Sequence, residues 1–221
     1  MREYSVGRTF FAAIRPLRLL FVVLVLAAGL TGVSAPAIAA SPSEQFIADN
    51  VQRGLTILNN KSLSKEQRRS QFQEFLIGLT DIKAISEYTL GQYRRAATPP
   101  QLAAFDDAFK DYALAVYQVY FNKFSGQTLQ VSGSYPLAPG ETVVKTIMVD
   151  PNKPNNPKPL NVDFRVASEG ARLAVIDFSV EGVWLRETER SDFTSVLGQN
   201  SGDIGALTAI LKTKSQQQST K

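Results

Sequence analysis

The chain contains no cysteine and no histidine, and only one tryptophan and two methionines, in 221 residues. Lacking cysteine, it has no disulfide, no thiolate nucleophile and no zinc–sulfur site. Lacking histidine, it has no Ser-His-Asp catalysis, no imidazole metal ligand and no side chain that ordinarily titrates near pH 7. Its glycines form no phosphate-binding loop and its acids follow no metal-binding spacing, so neither cofactor nor metal is expected. Carboxylate, Ser/Lys or oxygen-ligand metal chemistry remains, and the balance favours a binding protein over an enzyme. With 44% hydrophobic and 20% charged residues the composition is globular, which excludes wholesale disorder and fibrous architecture. The length allows one domain of ordinary size or two small ones.

Long apolar runs are equally scarce. The longest, LLFVVLVLAAGL at residues 19–30, follows Arg2, Arg8, Arg15 and Arg18, opposed only by Glu3, and precedes Ala37-Ile38-Ala39. A basic segment, an apolar stretch and an A-x-A site make a Sec-type signal peptide. A membrane anchor needs roughly 20 apolar residues. Residues 19–33 supply 15, including Gly29, Thr31 and Gly32. Residues 1–40 are therefore expected to be cleaved, after Ala39 or Ala40, and the rest exported to the periplasm. Without the leader, Lys and Arg number 20 and Asp and Glu 19, a net charge of +1. The basic character belongs to the leader, and a nucleic-acid partner loses its support.

After residue 40 the first half reads as helices. Ile47, Val51, Gly54, Leu55 and Leu58 recur at helical spacing after Ser41-Pro42-Ser43. Ser64 with Gln67 is a capping box, followed by Phe72, Phe75, Leu76 and Leu79 on one face. A shorter helix is expected over residues 81–90, ended by Gly91, and Thr98-Pro99-Pro100-Gln101 starts one that should run to about Phe124. The second half alternates with period two, through Leu129 and Val131, then residues 143–149, 160–166 and 174–180. Four prolines in residues 150–159 predict an exposed connector between strands. Two short helices, near residues 187–197 and 203–212, close one α+β domain with an antiparallel sheet over residues 41–212. Residues 213–221 read as a polar, frayed tail.

Seven aromatics fall within residues 98–124, among them Phe105, Phe109, Tyr112, Tyr117, Tyr120, Phe121 and Phe124. At about 100° per residue, with Leu102 and Val116, they cover an arc of roughly 180°, wider than the ~100° stripe of a surface helix. One face of the helix is expected on the sheet. The surplus meets either other helices or an apolar ligand, which periodicity does not distinguish.

The chain resembles the MlaC-type periplasmic phospholipid-binding proteins, also called the toluene-tolerance family, over about residues 46–211. The resemblance is carried by Leu90-Gly91-Gln92-Tyr93-Arg94-Arg95-Ala96-Ala97-Thr98-Pro99, by Gln101, Phe105 and Tyr112, and by Gly126-Gln127-Thr128. It continues in Asp177-Phe178-Ser179-Val180-Glu181-Gly182-Val183-Trp184-Leu185, in Arg190-Ser191-Asp192-Phe193 and in a final Gly-Asp-Ile segment. Trp184 stands where relatives often carry Ser, and Gln92-Tyr93 where a Trp is frequent, departures that bear on pocket shape.

The resemblance implies a helical layer over a small twisted antiparallel sheet, enclosing an apolar pocket for acyl chains with the headgroup at its mouth. It implies a soluble, non-enzymatic periplasmic carrier that moves phospholipid between outer and inner membranes and so maintains lipid asymmetry. The implied partners are an MCE-domain ABC transporter at the inner membrane and an outer-membrane lipoprotein/porin complex. A subset of the family accompanies hopanoid synthesis, which leaves the lipid class open. The pocket is expected to use Phe72, Phe75, Leu79, Phe105, Phe109, Tyr112, Val116, Val143, Ile147, Phe164, Ile176, Phe178, Val180 and Trp184. Arg94, Arg95 and Arg190 are candidates for headgroup or partner contact, since Arg suits bidentate phosphate binding.

Other charged groups have plainer readings. Asp106, Asp107 and Asp111 lie on or beside the polar arc of the long helix, and Lys61, Lys65, Arg68 and Arg69 form a basic face that reads as solubility before docking. The rival class of function is an isomerase- or hydratase-type enzyme using Asp177 or Glu181 as acid or base in a cone-shaped pocket. An interaction module with a solid core is a third.

Overall fold

The computed structural model describes residues 40–153 and 158–219, so the expected leader lies outside the described residues except for Ala40. Helix α1 (Pro42–Leu58) begins at Ser41, whose hydroxyl accepts the Glu44 N–H at 3.2 Å while the Glu44 carboxylate accepts the Ser41 N–H at 3.0 Å. The reciprocal pair satisfies two of the backbone donors that a helix start leaves open. Ser64 and Gln67 repeat the device at α2 (Lys65–Leu79). Asp81 caps α3 (Ile82–Thr89) by accepting the Ala84 N–H at 2.9 Å.

The chain leaves α3 through Gly91 at φ +55°, into a 3-10 turn, Gly91–Ala96, that the sequence pattern does not announce. A Cβ at Gly91 would also stand 2.9 Å from Thr194 Cγ2, so the position needs glycine twice over. At the start of α4 (Pro99–Lys123), the Thr98 N–H and hydroxyl both donate to Gln101 Oε1 at 2.9 Å.

Strands β1 (Thr128–Ala138), β2 (Glu141–Val149), β3 (Asn161–Glu169), β4 (Arg172–Val180) and β5 (Val183–Trp184) form one antiparallel sheet in chain order. A register shift at Arg165/Val166 leaves Ile176 as the extra residue of a bulge between Val175 and Asp177. The described ends of the proline-rich connector, Pro151 to Lys153 and Lys158 to Leu160, are exposed. Helix α5 (Leu185–Gln199) and helix α6 (Ile204–Ser219) complete the α+β fold.

The tail is a correction. Expected to fray from Thr213, it continues α6 to Ser219. Lys and Gln are good helix formers, no Gly or Pro interrupts the segment, and the Thr213 hydroxyl bonds back to the Ala209 carbonyl at 3.0 Å. Among the described residues no helix is long and apolar enough to cross a membrane.

Two apolar cores result. One is helical: Leu90, Phe105, Ala108, Phe109, Phe193, Leu197, Ile204, Leu207 and Leu211 bring α3, α4, α5 and α6 together. The other sets Ile47 of α1 against Val144, Val166 and Val175 on one face of the sheet. At the sheet, the Asp81 N–H donates to the Val175 carbonyl at 3.2 Å and ties the α2–α3 junction to β4.

Candidate functional site

Helix α4 divides its aromatics between two environments, which explains the breadth of their arc. Phe105, Phe109 and Tyr112 lie within about 60° of one another at 100° per residue. They pack on Phe193 of α5, with ring centroids 6.2, 6.2 and 6.4 Å away. This face of α4 meets helices, one of the two alternatives that periodicity left open for the surplus. Phe105 is 0% exposed and Phe109 5%, as in a filled core.

Tyr117 and Phe121 point roughly 100° or more away from that set. Phe121 meets Phe72 of α2 at 6.3 Å, Phe72 meets Phe75 at 5.7 Å, and Tyr117 meets Phe178 of β4 at 6.2 Å. Phe178 pairs with Phe164, and Phe164 with Val144, so all three share the face on which α1 sits. Gly54 lets α1 approach α2: a Cβ there would stand 3.2 Å from the Phe75 ring.

These rings line the junction between α2, the C-terminal half of α4 and the sheet, the candidate cleft. Phe72, Phe75, Leu76, Tyr117, Phe121 and Phe178 are all half-buried, and α2 has no buried residue at all. Side chains of this size would each gain about 1.5–3 kcal/mol from full burial. Their partial exposure at the junction of these elements is what a surface shaped for an apolar occupant looks like.

The cleft abuts a smaller cavity of about 220 Å³ where the end of α1, the start of α2 and the end of α4 converge, lined by Leu58, Lys65, Arg68, Phe121, Asn122 and Phe124. Another cavity, about 330 Å³, lies between α1 and edge strand β1. It is lined largely by Glu44, Gln45, Ser132 and small residues, which offer acyl chains little.

The candidate pocket residues do not all face one cavity. Phe72, Phe75 and Phe178 gather at the cleft, Leu79 and Phe164 pack against the core that α1 forms with the sheet, and Val180 lies on the sheet face of Phe178, 41% exposed. Val116 is half-buried on α4, on the arc of Phe105, Phe109 and Tyr112, which are in the helical core. Val143 pairs with Arg165 and Ile147 with Asn161, so both point to the opposite sheet face from Phe164. Trp184, paired with Ser179, shares that opposite face and lies under the Arg165 guanidinium, 4.9 Å away. Ile176 is buried in the bulge. Period-two reading yields both faces of a strand equally well, and it mixed them here. The residues it left out of the pocket, Tyr117 and Phe121, were detectable from their angular separation from Phe105.

Two of the three arginines are engaged within the fold. Arg94 contacts the Glu87 carboxylate at 2.5 Å and Arg190 stacks over the Tyr88 ring at 4.6 Å, contacts that join α3 to the 3-10 turn and to α5. Arg95 is exposed. Glu87, which also pairs with Lys83, is held below its ordinary pKa by the Lys83 hydrogen bond first and by Arg94 after it. Asp106 accepts from the Ser86 hydroxyl at 2.5 Å, and burial raises its pKa.

The two carboxylates weighed for catalysis have structural tasks. Asp177 Oδ1 accepts the Arg186 N–H and the Phe178 N–H at 2.9 Å, which caps the start of α5. Burial pushes its pKa up, partly offset by Arg186, whose Nε lies 3.8 Å from Oδ2. Glu181, at φ +51° in the β4–β5 turn, accepts the Asn161 N–H at 2.6 Å and closes the sheet end.

Comparison with known proteins adds two findings. The family model described as MlaC protein matches residues 48–213. Among solved structures, the chain is similar to the phospholipid-binding protein from Ralstonia solanacearum, determined in complex with a phospholipid, with a TM-score of 0.70. The two are 22% identical, over 81% of this chain and 99% of that one, a likeness of fold.

Proposed function

The chain belongs to the MlaC protein family, and from that premise we propose that it is a phospholipid carrier whose cleft between α2, α4 and the sheet holds acyl chains. The observation that carries the reading is the run of half-buried rings from Phe75 through Phe72 to Phe121, faced by Tyr117 and Phe178. The phospholipid in the Ralstonia solanacearum structure supports it, because the two chains share their fold.

Energetics favour a carrier that hands its cargo over by docking. Two acyl chains hold on the order of 30 methylenes at ~0.8 kcal/mol each, so release into water costs roughly 20 kcal/mol. A bilayer offers nearly the same burial, which leaves transfer between cleft and membrane close to balance. A periplasmic protein of this kind would exchange lipid at an inner-membrane MCE-domain transporter and an outer-membrane complex, and would need no nucleotide site of its own. Its role is non-enzymatic, with Asp177 and Glu181 serving the fold.

The test is extraction. Protein exported from cells and purified without detergent should release phospholipid into organic solvent in near-stoichiometric amount. Protein that yields none, from a folded and monodisperse sample, contradicts the carrier reading. A hopanoid in the extract would keep the carrier and replace its cargo.

A further inference from the structure

Among the charged groups the function leaves unused, the strongest cluster lies in the small cavity beside the cleft. We propose that Lys65 and Arg68 form a subsite for a phosphate group, the one belonging to the headgroup of a lipid whose chains occupy the cleft. The inference rests on the carrier reading and deepens it.

Four observations converge. The cavity lining is mixed, with Lys65, Arg68 and Asn122 beside Phe121, Phe124 and Leu58. Phe121 belongs to both spaces, since its ring also meets Phe72 in the cleft. The volume, about 220 Å³, is below the ~300–1,000 Å³ of a whole-ligand pocket and holds several groups the size of a water, ~30 Å³ each. It suits a headgroup and not a pair of chains.

The charge is unbalanced as well. Residues 61–69 carry Lys61, Lys65, Arg68 and Arg69 against Glu66 alone. None of these cations forms an ion pair among the described residues. Arg68 is half-buried and fixed in place, with Nη1 donating to the Asn60 carbonyl at 3.2 Å and the Leu63 carbonyl at 3.0 Å. Among the described residues its other guanidinium donors have no hydrogen-bond partner, which leaves them for the charge-assisted bonds that anionic oxygens accept. The start of α2 adds the favourable end of its dipole.

The experiment loads delipidated protein from vesicles containing equal phosphatidylglycerol and phosphatidylcholine, and weighs the bound lipids by native mass spectrometry. Both headgroups carry the phosphate, but the quaternary ammonium of phosphatidylcholine would set a third cation beside Lys65 and Arg68, so wild type should favour phosphatidylglycerol, and Lys65→Glu should reduce that preference about tenfold, the scale of one charge-assisted bond. Lys65 is exposed at the first position of α2, where Glu suits the dipole, so this variant should fold. Lys212→Glu, the same charge change on the exposed side of α6, should leave the preference intact. Arg68→Gln should act like Lys65→Glu, provided its melt stays cooperative. Competition by inorganic phosphate without bound lipid would assign the subsite to free phosphate. Equal uptake of both lipids by wild type, or an unchanged preference in Lys65→Glu, overturns the proposal while leaving the carrier standing. Failure of wild type to take up any lipid removes the carrier reading itself.

Discussion

Placing a carboxylate at Phe105 and at Phe178 separates a filled core from a binding cleft. Phe105 is 0% exposed, with Phe109 and Phe193 rings 6.2 Å away. Truncating such a ring costs about 3–5 kcal/mol, and burying a polar head without a partner adds about 2–7 kcal/mol. The sum, about 5–12 kcal/mol, is comparable to the whole ~5–15 kcal/mol stability of an ordinary domain, so Phe105→Asp should not fold. Phe178 is half-buried with Tyr117 at 6.2 Å. Its loss costs a share of the ~1.5–3 kcal/mol burial energy and an aromatic pair of ~0.5–1.5 kcal/mol. The new carboxylate reaches water, so Phe178→Asp should fold with a deficit of about 2 kcal/mol. With an acyl chain in the cleft the same carboxylate would lose its water, so lipid occupancy should collapse. Urea denaturation must be run on delipidated proteins, because bound lipid stabilises by mass action. If Phe178→Asp unfolds as Phe105→Asp does, or keeps normal lipid, the cleft is a packed core and the reasoning fails.

Other perturbations follow from single groups. Burial raises the pKa of Glu189 above its ordinary 4.5, so its ionised form weighs on the fold at neutral pH. That stability is fully present below 4.5 and is lost as pH rises through the elevated value. Glu189→Gln should therefore melt higher than wild type at pH 7, with the gain vanishing as pH approaches 4.5. Glu87 has the opposite sign, its pKa lying below 4.5 chiefly through Lys83. Glu87→Gln should melt lower than wild type at pH 7, and the gap should close as acid protonates the native Glu87. Gly91→Ala, strained at φ +55° and crowded by Thr194, should cost about 1–2 kcal/mol or more in urea. An equal melting temperature would mean that α3 can leave by another route.

Local chemistry made most of the fold legible. Ser64 with Gln67, Thr98 with Gln101, and Gly91 marked helix ends that the structure keeps, because caps and positive φ depend on one or two residues. The strands followed from their alternation for the same reason. The cleft was legible only in part. Phe72, Phe75, Phe164 and Phe178 were identified as apolar and inward. Which of two inward spaces a side chain enters depends on register and on the partners of α4. Val143 and Phe164 carry the same period-two signal, yet cross-strand pairing sends them to opposite faces. Phe105 and Tyr117 lie on one helix, yet α5 claims the first and β4 the second. Arg94 drew notice for its charge, but the carboxylate that engages it, Glu87, lies on another element.

The central claim, that acyl chains run between α2, α4 and the sheet, is tested most directly by photo-crosslinking. A benzophenone side chain placed at Phe72, at Phe178 or at the exposed Tyr135 of β1 is irradiated in purified, lipid-loaded protein, and the adducts are weighed. The expected result is a covalent lipid adduct at positions 72 and 178 and none at 135. Lipid-loaded protein that crosslinks at neither 72 nor 178 contradicts the account.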